Sequence, residues 1–412
     1  MSGSKSISMP AGGRRAVTLL CVLLIFGTET LFTTALPLFG TDLQVGPALV
    51  GLALSLSSGA GYLVLPLVVH QLDGRHLRRL MIISGAVMLV SCGVVIQAQE
   101  WGVVALLCGS LGFGIARITG VVGLLTMVAR LPGRRSSNQG WNGSLQRFGS
   151  LGALLISSVL FATRNWTGVF ITIAVMIAFW CALADKAALG VERERRVGAT
   201  WVSPVAADAP SSQWNAAFSC VTVLRRPEVL ASAMLNLLML LTLMHGNSFF
   251  SIAFARDLPG PVLSSVVVTS LMLRDGISVL SGLVFPFALR RLGTRVMLWS
   301  LPLLAVLPFA LLVSSSSPAT GSYVAAVAHG IMAGWGIAAT NLLASGTNSE
   351  GVGKRIAGSL IPTGVVMLVA PAAFGGAVAT HSVQAAYALL IAVIAASGAV
   401  MVWAGRHSDL AE

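Results

Sequence analysis

Twelve long apolar stretches run through the 412 residues of this chain, at roughly 16–38, 47–69, 79–97, 102–129, 140–162, 167–184, 228–253, 262–288, 296–314, 321–345, 356–379 and 384–404. An α-helix needs about 20 apolar residues to cross the hydrocarbon core of a bilayer. In lipid every backbone N–H and C=O must find its partner within the segment, so each crossing stretch has to be a helix. A chain with 56% hydrophobic and only 10% charged residues, and a mean hydropathy of +0.86, is not a water-soluble domain. The fold class that follows is an all-α integral membrane protein with many spans.

The basic residues orient it. Lys5, Arg14 and Arg15 precede the first span, and Arg75, Arg78 and Arg79 follow the second. Arg130, Arg134 and Arg135 follow the fourth; Lys186, Arg193, Arg195, Arg196, Arg225 and Arg226 follow the sixth. Arg290, Arg291 and Arg295, then Lys354 and Arg355, then Arg406 complete that side, while the opposite loops hold only Arg164 and Arg256. The excess of Lys and Arg marks the cytoplasmic side, so both termini are expected there, in a multi-pass protein of the inner (plasma) membrane.

A net charge of +12 is therefore a topology signal and a match to anionic membrane lipid, not a footprint for nucleic acid. The first span, after Arg14 and Arg15, looks like a secretory signal but is too long and lacks a small-residue cleavage site. It is read as a retained helix. Cys21, Cys92, Cys108, Cys181 and Cys220 have no CxxC spacing and read as apolar fillers, without disulfides or metal ligands.

The spans divide six and six. Residues 1–185 form an expected first bundle, 186–227 a cytoplasmic middle loop, and 228–412 a second bundle. The loop has a mixed-charge run from Glu192 to Arg196 and a Pro/Ala/Ser stretch from Ser203 to Ser212. Trp214 to Val223 has the pattern of a short helix lying on the membrane surface. Many of the 44 glycines fall inside spans, where small residues let helices approach closely.

The run Thr28-Glu29-Thr30-Leu31-Phe32-Thr33-Thr34-Ala35-Leu36-Pro37, with Asp42-Leu43, Gly51, Ser55 and Pro66, resembles the twelve-span drug:proton antiporter branch of the major facilitator superfamily. Asp73, Arg78 and Arg79 match that family's signature loop in part, with Gly74 and His76 departing from it. Arg290-Arg291-Leu292-Gly293-Thr294-Arg295 is a degenerate second copy without its acid, and Arg117 with Gly120 is close to the family's fourth-span pattern. In the fifth span, where the branch has Gly-Pro, this chain reads Phe148-Gly149-Ser150-Leu151-Gly152; Ala370-Pro371 stands in the eleventh. The resemblance implies two pseudo-symmetric six-helix bundles around a midplane site and transport by alternating access. It also implies a cytoplasmic latch formed by Asp73, Arg78 and Arg79, which locks one state through charge pairs.

Five ionisable residues sit inside spans: Glu29, Arg117, Arg147, Arg274 and Asp275. Each is costly in lipid unless it is paired or faces water. Counting about 1.5 Å per residue puts Glu29 and Arg117 near the middle and Arg147 closer to the cytoplasm, with no acidic partner evident at its depth. Glu29 is the first proton-site candidate, against the competing reading of a permanent packing partner of Arg117. Arg274 and Asp275 are adjacent, so they point about 100° apart and are not expected to neutralise only each other. Asp275 is the second proton-site candidate. Arg117, Arg147, Arg274, His245, Asn247, Tyr62 and Trp335 are the candidates for holding substrate. His329, Asn236, Asn341 and Phe249 add polar or aromatic groups that suit packing as well as binding.

These features point to a secondary transporter, a proton-coupled exporter of a small amphipathic organic compound, acting as a monomer and without a cofactor or metal. An exporter of an anionic metabolite, such as a carboxylate siderophore or an organic acid, is the alternative. A membrane enzyme or a non-transporting receptor is the rival from another class. No GxxxxGK[ST] phosphate loop, HExxH or Ser/His/Asp arrangement supports an ATP-driven pump or an enzyme.

Overall fold

The computed structural model describes residues 11–72, 77–129, 131, 135–198, 222–315, 317–345 and 352–406. Among them are twelve helices long and apolar enough to cross a membrane. They are α1 (Ala11–Asp42), α2 (Pro47–Leu72), α3 (Leu77–Ile96), α4 (Val103–Ala129), α5 (Arg135–Ala162) and α6 (Trp166–Gly198). The second set is α7 (Pro227–Met244), α8 (Gly260–Gly293), α9 (Val296–Ser314), α10 (Pro318–Ser345), α11 (Val352–Thr380) and α12 (Val383–Arg406).

The helices depart from the expected boundaries at three places. α6 continues through Gly198, some way into the stretch expected as loop. α7 runs on through a π-helical turn, His245–Phe249, into a further helical turn, Phe250–Phe254. Such turns are rare and often mark functional positions. α8 and α9 are nearly continuous, parted at Gly293, whose φ of 76° and ψ of 158° suit a residue without Cβ. The expected surface helix at Trp214 to Val223 falls mostly outside the described residues, as do Asp73 and Cys220.

The two sets pack alike. α1 lies against α5 and α6, while α4 takes α2 and α3 on one side. In the second set α7 lies against α11 and α12, and α10 takes the Gly260–Ser314 pair. Large apolar side chains such as Ile156, Leu283, Phe287 and Leu303 are exposed around the outside, where lipid would cover them.

The halves meet chiefly along α2 with α11 and α5 with α8. The α2–α11 seam is a backbone contact. A Cβ on Gly59 would sit 2.3 Å from the backbone nitrogen of Leu368, and one on Gly51 2.4 Å from the carbonyl oxygen of Pro371. Ser55 Oγ accepts the Ala372 N–H at 3.0 Å in the same seam. Gly51 and Ser55 belong to the sequence pattern that carries the family resemblance, and their place at this seam gives that pattern a packing reason.

With an even number of spans, α1 begins and α12 ends at one end of the bundle, called here the terminal end. The seam lies in the opposite half, the far end. There Asp42 accepts the Trp166 indole N–H and an Arg164 guanidinium N–H, each at 2.7 Å. Arg164 reaches across to the second half, onto Gly260 at the start of α8, where a Cβ would fall 1.6 Å from a guanidinium nitrogen. The far end is closed.

Candidate functional site

Between the halves lies a cavity of about 140 Å³. Its walls come from α1, α2, α4 and α5 on one side and α7, α8, α10 and α11 on the other. It reaches from Thr33 and Met244 in the middle of the bundle to Leu125 and Leu360 nearer the terminal end. Four of the five intramembrane charges, Glu29, Arg117, Arg147 and Arg274, line it; Asp275 stands behind Arg274.

Glu29 and Arg117 form a close ion pair between α1 and α4, with Arg117 NH1 donating to Glu29 Oε1. Arg117 NH2 also donates to the Ser58 carbonyl of α2 at 3.2 Å, so one guanidinium ties three helices. The two partners differ in access. The Glu29 side chain is 19% exposed and that of Arg117 5%, so the carboxylate is the member that the cavity reaches. One residue on, Thr30 donates to Ser150 Oγ at 2.7 Å, fastening α1 to α5. That contact is possible because Gly149 lets α5 lie on the Leu23 carbonyl, at the place where the resembled branch carries Gly-Pro.

The second cluster is asymmetric. Arg274 Nε and NH2 both lie 2.8 Å from Asp275 Oδ1, and Arg274 NH1 donates to the Leu243 carbonyl of α7 at 2.8 Å. A long side chain thus curls back to a neighbour that its own backbone directs elsewhere. Arg147, from α5 of the other half, brings NH1 to 3.8 Å from the same Oδ1. The sequence reading found no acid for Arg147; Asp275 is that acid. Asp275 is fully buried, and its Oδ2 has no hydrogen-bond partner. Arg147 Nε likewise has none.

The structure distributes the other candidates unevenly. Tyr62 lines the cavity and backs onto Gly364 of α11. Asn236 lines it too. Trp335 does not: it packs beside Phe285, Ala288 and Met297 on the flank of the second half, because its face of α10 turns from the cavity. Phe249 stacks on Phe374 with ring centres 4.6 Å apart, and His329 sits against Phe309 in the core of the second half. His245 and Asn247 fall on the π-helical turn of α7; their side chains, and that of Asn341, lie outside the description. Thr30, Thr33, Gln146 and Thr340 also line the cavity. Sequence reasoning missed them, although a polar residue repeating on one face of an apolar span is the signal that could have found them.

At the terminal end, Arg78 of α3 pairs with Asp185 of α6, Nε to Oδ1 at 2.5 Å and NH2 to Oδ2 at 3.3 Å. Arg79 is exposed. Asp73, the acid of the expected latch, lies outside the described residues. Among the described residues no group of three or more His, Cys, Asp or Glu is placed to hold a metal ion.

Two matched six-helix bundles around a charged central cavity define a membrane transporter rather than an enzyme. The sequence model of the Major Facilitator Superfamily matches residues 18–291, well over half of the chain, and this protein belongs to that superfamily. It is a secondary transporter of a small molecule. Solved structures with the same fold include a bacterial homologue of the iron transporter ferroportin in an outward-facing state, with 12% identity, a TM-score of 0.66, and coverage of 96% of this chain and 100% of that one. The nucleoside transporter NupG matches with 14% identity and a TM-score of 0.62, covering 95% of this chain and 100% of the other. The human organic anion transporter MFSD10 (TETRAN) matches with 17% identity and a TM-score of 0.62 over 95% of this chain and 100% of its own. At such identities the likeness is one of fold. Among curated protein sequences none is significantly similar to this chain.

Proposed function

We propose that this protein is a proton-coupled exporter of a small amphipathic organic compound, of the drug:proton antiporter type. In this reading it works as a monomer in the inner (plasma) membrane with both termini cytoplasmic, and residues 1–185 and 228–412 move as the two bodies. The observation that carries it is the Glu29–Arg117 pair, in which a partly accessible carboxylate meets a buried guanidinium on the cavity wall.

Proton and cargo have opposed effects on such a pair. A proton on Glu29 removes the charge that compensates Arg117, and a cargo group that takes over one partner changes the carboxylate's need for a proton. Asp275, held by Arg274, is the second proton-coupling residue. A cavity of about 140 Å³ is smaller than the roughly 300–1,000 Å³ of ordinary ligand pockets. It is read as a contracted state closed at the far end, with the cargo space opening as the halves separate. Asp73, Arg78 and Arg79 would act as the latch that holds the terminal end in the opposite state.

Three arginines against two acids favour a second reading, in which the cargo is an anionic metabolite such as an organic acid. The test of the main reading is Glu29→Gln. In proteoliposomes with an imposed pH gradient the wild type should accumulate cargo uphill, while the variant should only equilibrate it. Full uphill transport by the variant would refute the role of Glu29.

A further inference from the structure

Five ion pairs are formed among the described residues, and four stay within one half: Glu29–Arg117, Arg78–Asp185, Asp42–Arg164 and Arg274–Asp275. Arg147–Asp275 alone joins α5 of the first half to α8 of the second. It is also the loosest, at 3.8 Å, because Arg274 already holds Asp275 Oδ1 with two nitrogens at 2.8 Å. One carboxylate is divided between two guanidinium groups.

Charge counting then isolates one residue. Glu29 answers Arg117 and Asp275 answers Arg274, which leaves the cluster with one positive charge in excess, carried by Arg147. Its side chain is only 9% exposed, its Nε lacks a hydrogen-bond partner, and yet it lines the cavity. A buried and poorly compensated charge is costly, and a planar guanidinium is built to take a carboxylate on two parallel N–H bonds.

We infer that Arg147 is the residue that binds an anionic group of the cargo, a single carboxylate on an otherwise apolar organic molecule, and that this group displaces Asp275 from Arg147. The inference rests on the reading of the central cavity as the cargo site. It also gives cargo binding a mechanical consequence. The ion pair across the halves is exchanged for one between Arg147 and cargo, so occupancy loosens the α5–α8 contact, while Arg274 keeps Asp275 paired within the second half.

The apolar part of the cargo has a suitable wall. Val121, Val122, Met239, Leu240 and Met367 line the cavity around the charged residues. Methionine adapts to ligands of differing shape. The site therefore selects for one negative charge and for hydrophobic bulk, and only weakly for outline.

The test uses the purified full-length protein in nanodiscs and three shape-matched probes: 2-naphthoate, its neutral carboxamide, and the corresponding naphthyl trimethylammonium. Binding is read by quenching of tryptophan fluorescence, with thermal unfolding as a check of fold. The carboxylate should bind roughly tenfold or more tightly than the amide, the margin expected for hydrogen bonds to a charged group. Arg147→Gln should abolish that preference while leaving amide binding in place. Asp275→Asn should do the opposite and strengthen carboxylate binding by about tenfold, because it frees Arg147. A pair that only held the helices together would weaken both variants in the same direction.

Arg147→Lys provides a folded control that keeps the charge but loses the two-bond geometry, and should recover only part of the preference. Equal binding of all three probes, or loss of carboxylate affinity in Asp275→Asn, would overturn the inference while leaving the cavity reading intact. Failure of all three to bind the wild type would overturn both.

Discussion

At the scale of single residues, the cavity is built on charges that lipid would not tolerate alone. Arg117 is tied to Glu29 and to the Ser58 carbonyl, so removing its guanidinium strands a carboxylate and an acceptor together. Arg117→Ala should therefore destabilise the protein by about 3 kcal/mol, in the range seen when one partner of a buried pair is lost. Adding Glu29→Gln should recover at least half of that loss, because the stranded group is then neutral. Thermal unfolding of both variants in detergent checks this, and a double variant no more stable than the single one would show that the pair is not the cause. The charged residues were legible because any ionisable group inside an apolar span stands out. Their partners were legible only in part. Glu29 with Arg117 could be anticipated from depth along neighbouring spans, whereas Arg147 with Asp275 depends on how two separate halves are registered, which no spacing along the chain encodes. Trp335 stands away from the cavity lining for a related reason: hydropathy says that α10 is a span but not which face of it turns to the cavity.

At the scale of helices, small residues set how closely elements approach. Gly59 lies against the backbone of Leu368, and alanine there has nowhere to put its methyl group. Gly59→Ala should loosen the α2–α11 seam and favour opening at the far end. A cysteine placed at Thr33, in a background without the native cysteines, should then react about fivefold faster with an impermeant thiol reagent from that side, the effect of a shift of roughly 1 kcal/mol. An unchanged rate would mean that the seam does not govern closure. The break at Gly293 makes a separate prediction. With φ at 76°, Gly293→Ala should cost about 1 kcal/mol or more in a thermal melt, whereas Gly276→Ala, where a Cβ meets nothing within 4 Å, should not. All twelve spans were readable from the sequence because apolar length is so strong a signal. The π-helical turn of α7 and the extension of α6 to Gly198 were not, since hydropathy measures apolar length and registers neither the type of helical turn nor a helix that continues past the apolar stretch.

At the scale of the whole molecule, the two halves repeat one packing scheme and enclose one charged cavity, closed at the far end by the glycine seam and by Arg164 against Gly260. That arrangement suits a carrier in which the halves rock about a central site. Proton energy is sufficient to drive it, because one elementary charge moved across 100 mV is worth about 2.3 kcal/mol. The transporter class was legible from span number, loop charge and the Glu29 region together. The identity of the cargo was not, because it depends on which side chains from eight different helices share one space. The most direct measurement is counterflow in proteoliposomes preloaded with unlabelled cargo, with and without a pH difference. A proton-coupled carrier takes up labelled cargo transiently without a gradient and sustains its accumulation when the gradient is imposed. Absence of counterflow under both conditions, with cargo bound to the protein, would contradict the account.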